Sequence, residues 1–315
     1  MKLASHFGHH NKVRKLAPDK QWPLPKCAIG LEWEFENGIY LREVMARDKS
    51  GYFQIHDDGS LRDQGVEIVT SGDGLWGEDL TLAFSLMEKA IMDTTKQYGA
   101  GGTPVCNYRT GFHVHLDVRD LEEKELHNLL MLYCVLERPI FNFVGKDRYN
   151  SNFCVPWLRS DAQFDVLKDI ELIDEKTVGR IGVKIKQLQR YSALNCQSIY
   201  KFGTLEFRHM ENALEDIGDQ RAQKAFVRLI MHLKRLAVER AQFGLSGQAM
   251  FESLKQQTPG ELMRAFGMNL PTQDWDYPEA LMHSIGLVNF KLPNTKPFFI
   301  DAQFDKFIGK HPNWK

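Results

Sequence analysis

Residues 27–36, CAIGLEWEFE, alternate with a strict period of two. Leu31, Trp33 and Phe35 share one side, and Glu32, Glu34 and Glu36 share the other. Only a strand sorts side chains this way, so the stretch must present an apolar face to a covering layer. The opposite face carries three carboxylates in a row, which repel one another on a backbone that does not favour them. Two readings fit: a solvated acidic edge, or a face whose carboxylates share a divalent cation, since hard cations take several carboxylate oxygens.

Three further stretches bring similar chemistry. Residues 65–71, GVEIVTS, read as a short strand in which Glu67 interrupts Val66, Ile68 and Val69. A lone strand glutamate commonly faces solvent. Residues 111–118, GFHVHLDV, place His113 and His115 on one side and Phe112, Val114 and Leu116 on the other. Imidazole has no strong strand preference, so one histidine fits a metal ligand and the other a hydrogen-bond donor. Residues 201–210, KFGTLEFRHM, put Glu206 and Arg208 two apart, on one strand face. The pair either neutralises itself at a surface, or splits the work, with the carboxylate on a metal and the guanidinium on phosphate oxygens.

The rest of the chain supplies cover and loops. Residues 78–97 read as an amphipathic helix with Leu82, Leu86, Ala90 and Ile91 on one side. A core helix follows from about Asp120, carrying Leu126, Leu129, Leu130, Tyr133, Leu136, Ile140 and Phe143, and ending near Gly145. Residues 161–189 hold one or two helices. A strand over 191–197 pairs with 201–210 as a hairpin turning at 198–200. A long helix over 217–242 carries Phe226, Leu229, Ile230 and Leu233 on its stripe and ends at Gly244. The glycine-rich loop at 99–103 lacks the lysine and spacing of a phosphate cradle. Residues 146–156, with Arg148, form a polar, binding-type loop.

The chain therefore divides into an N-terminal arm over 1–26, a catalytic-type domain over 27–244 and a mainly helical extension over 245–315. Its 315 residues carry a net charge of -1, so no global basic field recruits nucleic acid or an anionic membrane. The longest apolar run, residues 129–136, is too short to span a bilayer. Five scattered cysteines with no CxxC pair fit a reducing, cytoplasmic setting.

Together these motifs resemble the glutamine synthetase and glutamate–cysteine ligase superfamily, most closely its amidoligase branch. The carriers are Gly30-Leu31-Glu32-Trp33-Glu34, Gly111-Phe112-His113-Val114-His115 and Glu206-Phe207-Arg208. Further matches are DGSL at 58–61, RYNSNFC at 148–154 and RYSALN at 190–195. The resemblance spans residues 27–210 and implies an α+β fold, with a curved antiparallel sheet backed by helices. It implies an ATP-dependent carboxylate–amine ligase that forms an amide through an acyl phosphate, with Mg2+, or Mn2+ in its place. By the same resemblance Glu34 and Glu67 hold one cation, and Glu32, His113 and Glu206 a second. His115 faces substrate or an ATP phosphate, and Arg190 and Arg208 bind phosphoryl oxygens. Asp58, Ser60, Arg148 and Asn195 bind the carboxylate and amine substrates.

Two other readings stay open. One is a two-histidine–carboxylate metal enzyme, hydrolytic or oxidative, built on His113, His115 and Glu206. The other is an inactive nucleotide-binding protein on the same fold.

Overall fold

The period-two stretch forms strand β1, Ile29–Phe35, with Leu31, Trp33 and Phe35 buried. A computed structural model describes residues 28–71, 74–144, 148, 151–157, 191–212 and 220–242. Helix α1 (Ile39–Met45) follows β1, and strands β2 (Phe53–Asp57) and β3 (Val66–Thr70) come next. Helix α2 (Gly77–Tyr98) leads to β4 (Gly111–Asp117), and α3 (Glu123–Val144) follows. Further on lie β5 (Leu194–Asn195), α4 (Ser198–Phe202), β6 (Thr204–Glu211) and α5 (Arg221–Gln242).

The strands join into one six-stranded sheet in the order β2-β3-β1-β4-β6-β5, antiparallel at every pairing. Helices and an antiparallel sheet make the fold α+β, as expected. The long helices cover the apolar side of the sheet. Phe84 of α2 meets Trp33 at 5.6 Å between ring centroids, Tyr133 of α3 meets Phe207 at 6.0 Å, and Phe226 of α5 meets His209 at 6.0 Å. A buried polar relay ties α5 to β1. The Trp33 indole donates to Gln223 (3.1 Å), Gln223 donates to the Asn212 side chain (2.9 Å), and Asn212 donates to the Glu34 carbonyl (2.7 Å). Each link satisfies a polar atom that would be costly to bury alone.

Several local expectations change. The buried stripe of α2 is Leu80, Ala83, Phe84, Met87, Ala90, Ile91 and Thr94, whereas Leu82 is 44% exposed. Phe84 is the ring that meets Trp33, and at 3.6 residues per turn Leu82 lies well round the helix from it. The expected hairpin at 198–200 is instead the short helix α4, closed by Gly203 at φ 75°. Lys201 and Phe202 thus belong to α4, and β5 shrinks to two residues. Elements α1 and β2 were not expected. The arm over 1–26, the helices within 161–189, Arg190 and the extension over 245–315 lie outside the described residues. Among the described residues no helix is long and apolar enough to cross a membrane.

Candidate active site

Residues directly opposite in an antiparallel ladder share a face. Glu32 stands opposite His113, Glu34 opposite Glu67, Glu206 opposite His115, and Asn195 opposite Glu206. The side of the sheet away from the long helices therefore gathers chemistry from five strands, and the expected acidic and imidazole residues meet there.

They meet as two clusters of three donors. In the first, donor atoms of Glu32, His115 and Glu206 lie within 4.8 Å of one another. Glu32 sits between the imidazoles, 2.9 Å from His113 Nδ1 and 2.9 Å from His115 Nε2. The other nitrogen of His115 is 2.9 Å from Thr204 Oγ1. Glu206 accepts from Asn195 Nδ2 (2.7 Å), from Ser198 Oγ (2.9 Å) and from Arg208 Nη1. Burial works against the charge of Glu32, but His115 and His113 hold its carboxyl well below the usual carboxylate range. Burial opposes the charge of Glu206 as well, and Arg208 and His115 keep it low. His115 is likewise opposed by burial, and Glu32 raises it.

In the second cluster, carboxylate atoms of Glu34, Asp58 and Glu67 lie within 4.8 Å of one another. Glu34 accepts from the Gly111 amide. Asp58 accepts from the Ser60 amide (2.8 Å), the side-chain bond of an Asx turn that fixes its carboxylate after β2. Among the described residues no lysine or arginine forms an ion pair with Glu34, Asp58 or Glu67. Glu67 is pushed up to about 8 by burial and by repulsion from Glu32, Glu34, Asp58 and Glu206. An oxygen-rich set of three carboxylates with no lysine or arginine ion-paired to it among the described residues fits a hard divalent cation.

Some of the expected residues stand in other company. His115, rather than His113, completes the cluster with Glu32 and Glu206. His113 lies between the clusters, with Nδ1 3.7 Å from Glu206 and 3.8 Å from Glu34. A Cβ on Gly111 would stand 2.2 Å from His113 Nε2, so the glycine makes room for this ring. Asp58, expected at substrate, stands with Glu34 and Glu67. Ser60 offers its amide to Asp58 and its carbonyl to Arg109 Nη2. Asn195 points its amide at Glu206. Arg148 is 2% exposed, and its guanidinium donates to the carbonyls of Arg208 (2.8 Å), His209 (3.2 Å) and Tyr108 (3.2 Å). Arg208 donates to Glu206 and, through Nε, to the Phe153 carbonyl (3.3 Å), and its guanidinium lies 5.9 Å from the Tyr191 ring centroid.

Sequence reasoning missed Thr204, Ser198, Phe153 and Arg109. Ser198 carried a usable signal, because it lies three residues after Asn195 in a segment already read as site-bearing. Arg109 carried one too, two residues before the strand of the histidines.

Carboxylates, imidazoles and a guanidinium thus cluster, largely buried, on the sheet face opposite the long helices. Residues 84–227 match the family model described as "Putative amidoligase enzyme", a match that supports a place in that family and suggests a ligase. The matched segment contains His113, His115, Arg148, Asn195, Glu206 and Arg208. Glu32, Glu34, Asp58 and Glu67 precede it and join the same face through the pairing of β1, β3 and β4. No curated protein matches the chain.

Proposed function

We propose that the protein is an ATP-dependent carboxylate–amine ligase that works through an acyl phosphate. The observation that carries this reading is the pair of three-donor clusters on one sheet face, beside Arg208. Glu34, Asp58 and Glu67 would hold one divalent cation, and Glu32, Glu206 and His115 the second. When bound, Mg2+, or Mn2+ in its place, supplies charge neutralisation for the nucleotide phosphates. A glutamine-synthetase-like curvature of the sheet belongs to the same proposal.

The chain's own groups have separable tasks. Arg208 commits Nε to Phe153 and Nη1 to Glu206. That leaves Nη2 to donate to an oxygen of the transferring phosphoryl group, with a charge that is never lost by deprotonation. A substrate carboxylate oxygen attacks the γ-phosphorus and ADP leaves. The amine then attacks the acyl carbon, sheds a proton, and phosphate leaves with the carboxylate's oxygen. Arg208, with Arg190 in the same proposed role, stabilises charge on that phosphate. Asn195 and Ser198 orient Glu206, and Thr204 orients the ring of His115. His113 takes the donor role between the clusters, and Ser60 holds the Asp58 turn beside the substrates.

The two-histidine–carboxylate alternative would leave Glu34, Asp58, Glu67 and Arg208 without a task. Among the described residues Cys154 and Cys196 are free thiols, which supports the proposed cytoplasmic setting. The test supplies ATP, Mg2+ and hydroxylamine together with a panel of amino acids, peptides and other small carboxylates. The account expects ADP release and hydroxamate that both depend on one carboxylate class. ADP release that ignores the carboxylate, or metal-dependent hydrolysis without ATP, would contradict it.

A further inference from the structure

We propose that Arg148 is the positioning residue for Arg208, acting by pinning a β-bulge. This rests on the reading of Arg208 as the oxyanion donor. The β4–β6 ladder pairs Phe112 with Met210 and Val114 with Phe207, with a register shift between them. Two residues of β6, Arg208 and His209, therefore stand against the single residue His113. An extra residue of this kind takes backbone groups off the ladder and re-aims neighbouring side chains. Arg208 stays on the site face, while both His209 and Met210 turn to the core, where His209 Nε2 lies 3.0 Å from the Tyr133 hydroxyl.

The carbonyls of both bulge residues are the ones that Arg148 takes, through Nη2 and Nε, and its third nitrogen reaches Tyr108. Among the described residues Arg148 forms no ion pair with a carboxylate. A guanidinium this deeply buried and balanced, among the described residues, by carbonyl dipoles is expensive, so a specific task is the economical explanation. The same segment grips Arg208 a second time. Ser151 N donates to the Arg148 carbonyl (3.0 Å) and Cys154 N to the Ser151 carbonyl (3.2 Å), a turn that presents the Phe153 carbonyl to Arg208 Nε. The main chain and the side chain of Arg208 are thus held by one short stretch. A lysine at 148 could not replace the fork, because a point donor cannot serve three separated carbonyls.

The test is a double-mutant cycle on the full chain, read by calorimetric titration of Mg2+ with the non-hydrolysable nucleotide AMPPNP. R148Q should weaken binding about as much as R208Q, by roughly tenfold, and the double variant should bind no more weakly than R208Q alone. Losses that multiply, or a folded R148Q that binds like wild type, would overturn the inference. If R148Q does not fold, R148K carries the cycle, and it should show a smaller loss that again disappears in the R208Q background. A second readout needs no nucleotide. The Arg208 Nε–H proton, assigned in nitrogen-edited NMR by its disappearance in R208Q, should be protected from exchange in wild type and lose that protection in R148Q or R148K. Unchanged protection would refute the clamp. Failure of wild type to bind Mg2+–AMPPNP would count against the ATP reading alone, and the NMR result would still decide this one.

Discussion

The two donor clusters lie side by side on one sheet face, yet they differ in what offsets their charge. Around Glu32 and Glu206 the protein supplies its own counter-charges, His113, His115 and Arg208, and both carboxyls are held low. Around Glu34, Asp58 and Glu67 it supplies backbone amides and no ion-paired lysine or arginine among the described residues, and Glu67 rises to about 8. The first cluster is built to be stable when empty. The second is held together against its own repulsion, and a bound cation would relieve it. The difference separates residues that a mutation would unfold from residues that it would merely silence.

The largest expected effect is on turnover, where the clusters should look alike. E206Q and E67Q should each lower carboxylate-dependent ADP release by about two to three orders of magnitude, comparable to losing one preorganised charge stabiliser. An E67Q protein with near-wild-type turnover would remove the second cluster from the chemistry.

Next in size is stability of the metal-free protein, where the clusters should part. E206Q strands the buried Arg208 guanidinium and should cost about 3 kcal/mol in urea unfolding. E67Q removes a repelled carboxylate and should stay within about 0.5 kcal/mol of wild type, or gain. Equal losses would erase the contrast.

Saturating Mg2+ should then raise the thermal midpoint of wild type, by about 2–3 kcal/mol of stabilisation at a hundredfold excess over Kd. Most of that gain should vanish in E67Q. A gain that survives E67Q and vanishes only in E206Q would reverse the assignment of the cluster that depends on a cation.

The smallest of these effects probes the corner that both clusters share. In G111A the new Cβ must displace His113, so stability should fall by about 1–3 kcal/mol, the usual cost of overpacking. Mg2+-dependent stabilisation should weaken as well. A variant with unaltered Mg2+ response would show that His113 is not needed to space the clusters.

What could be read from the sequence follows from what a period of two can say. The alternation in GLEWEFE, VEIVT and GFHVHLD sorts apolar from polar faces without any knowledge of partners, so Glu32, Glu34, Glu67, His113 and His115 could be placed on strand faces. The same alternation cannot tell His113 from His115, because both lie on one face. The choice depends on the register of β6, which sets Glu206 opposite His115. Asp58 joins Glu34 and Glu67 through an Asx turn after a mostly exposed edge strand, a geometry that residue spacing does not encode. The contacts of Arg148 were out of reach for a related reason. A polar loop reads as a binding loop unless the bulge whose carbonyls it serves is visible, and a bulge leaves no mark in the hydrophobic pattern. Strand β2 did carry a signal, since Phe53 and Ile55 alternate with Gln54 and His56, but its edge position kept the pattern weak.

The most direct test of the ligase chemistry follows the carboxylate's own oxygen. With the carboxylate found in the hydroxamate panel labelled with oxygen-18, and ATP, Mg2+ and amine present, the released phosphate is analysed by mass spectrometry. An acyl phosphate formed on that carboxylate must hand one labelled oxygen to phosphate for each amide made, and that is the predicted result. Amide formed with unlabelled phosphate would contradict the account.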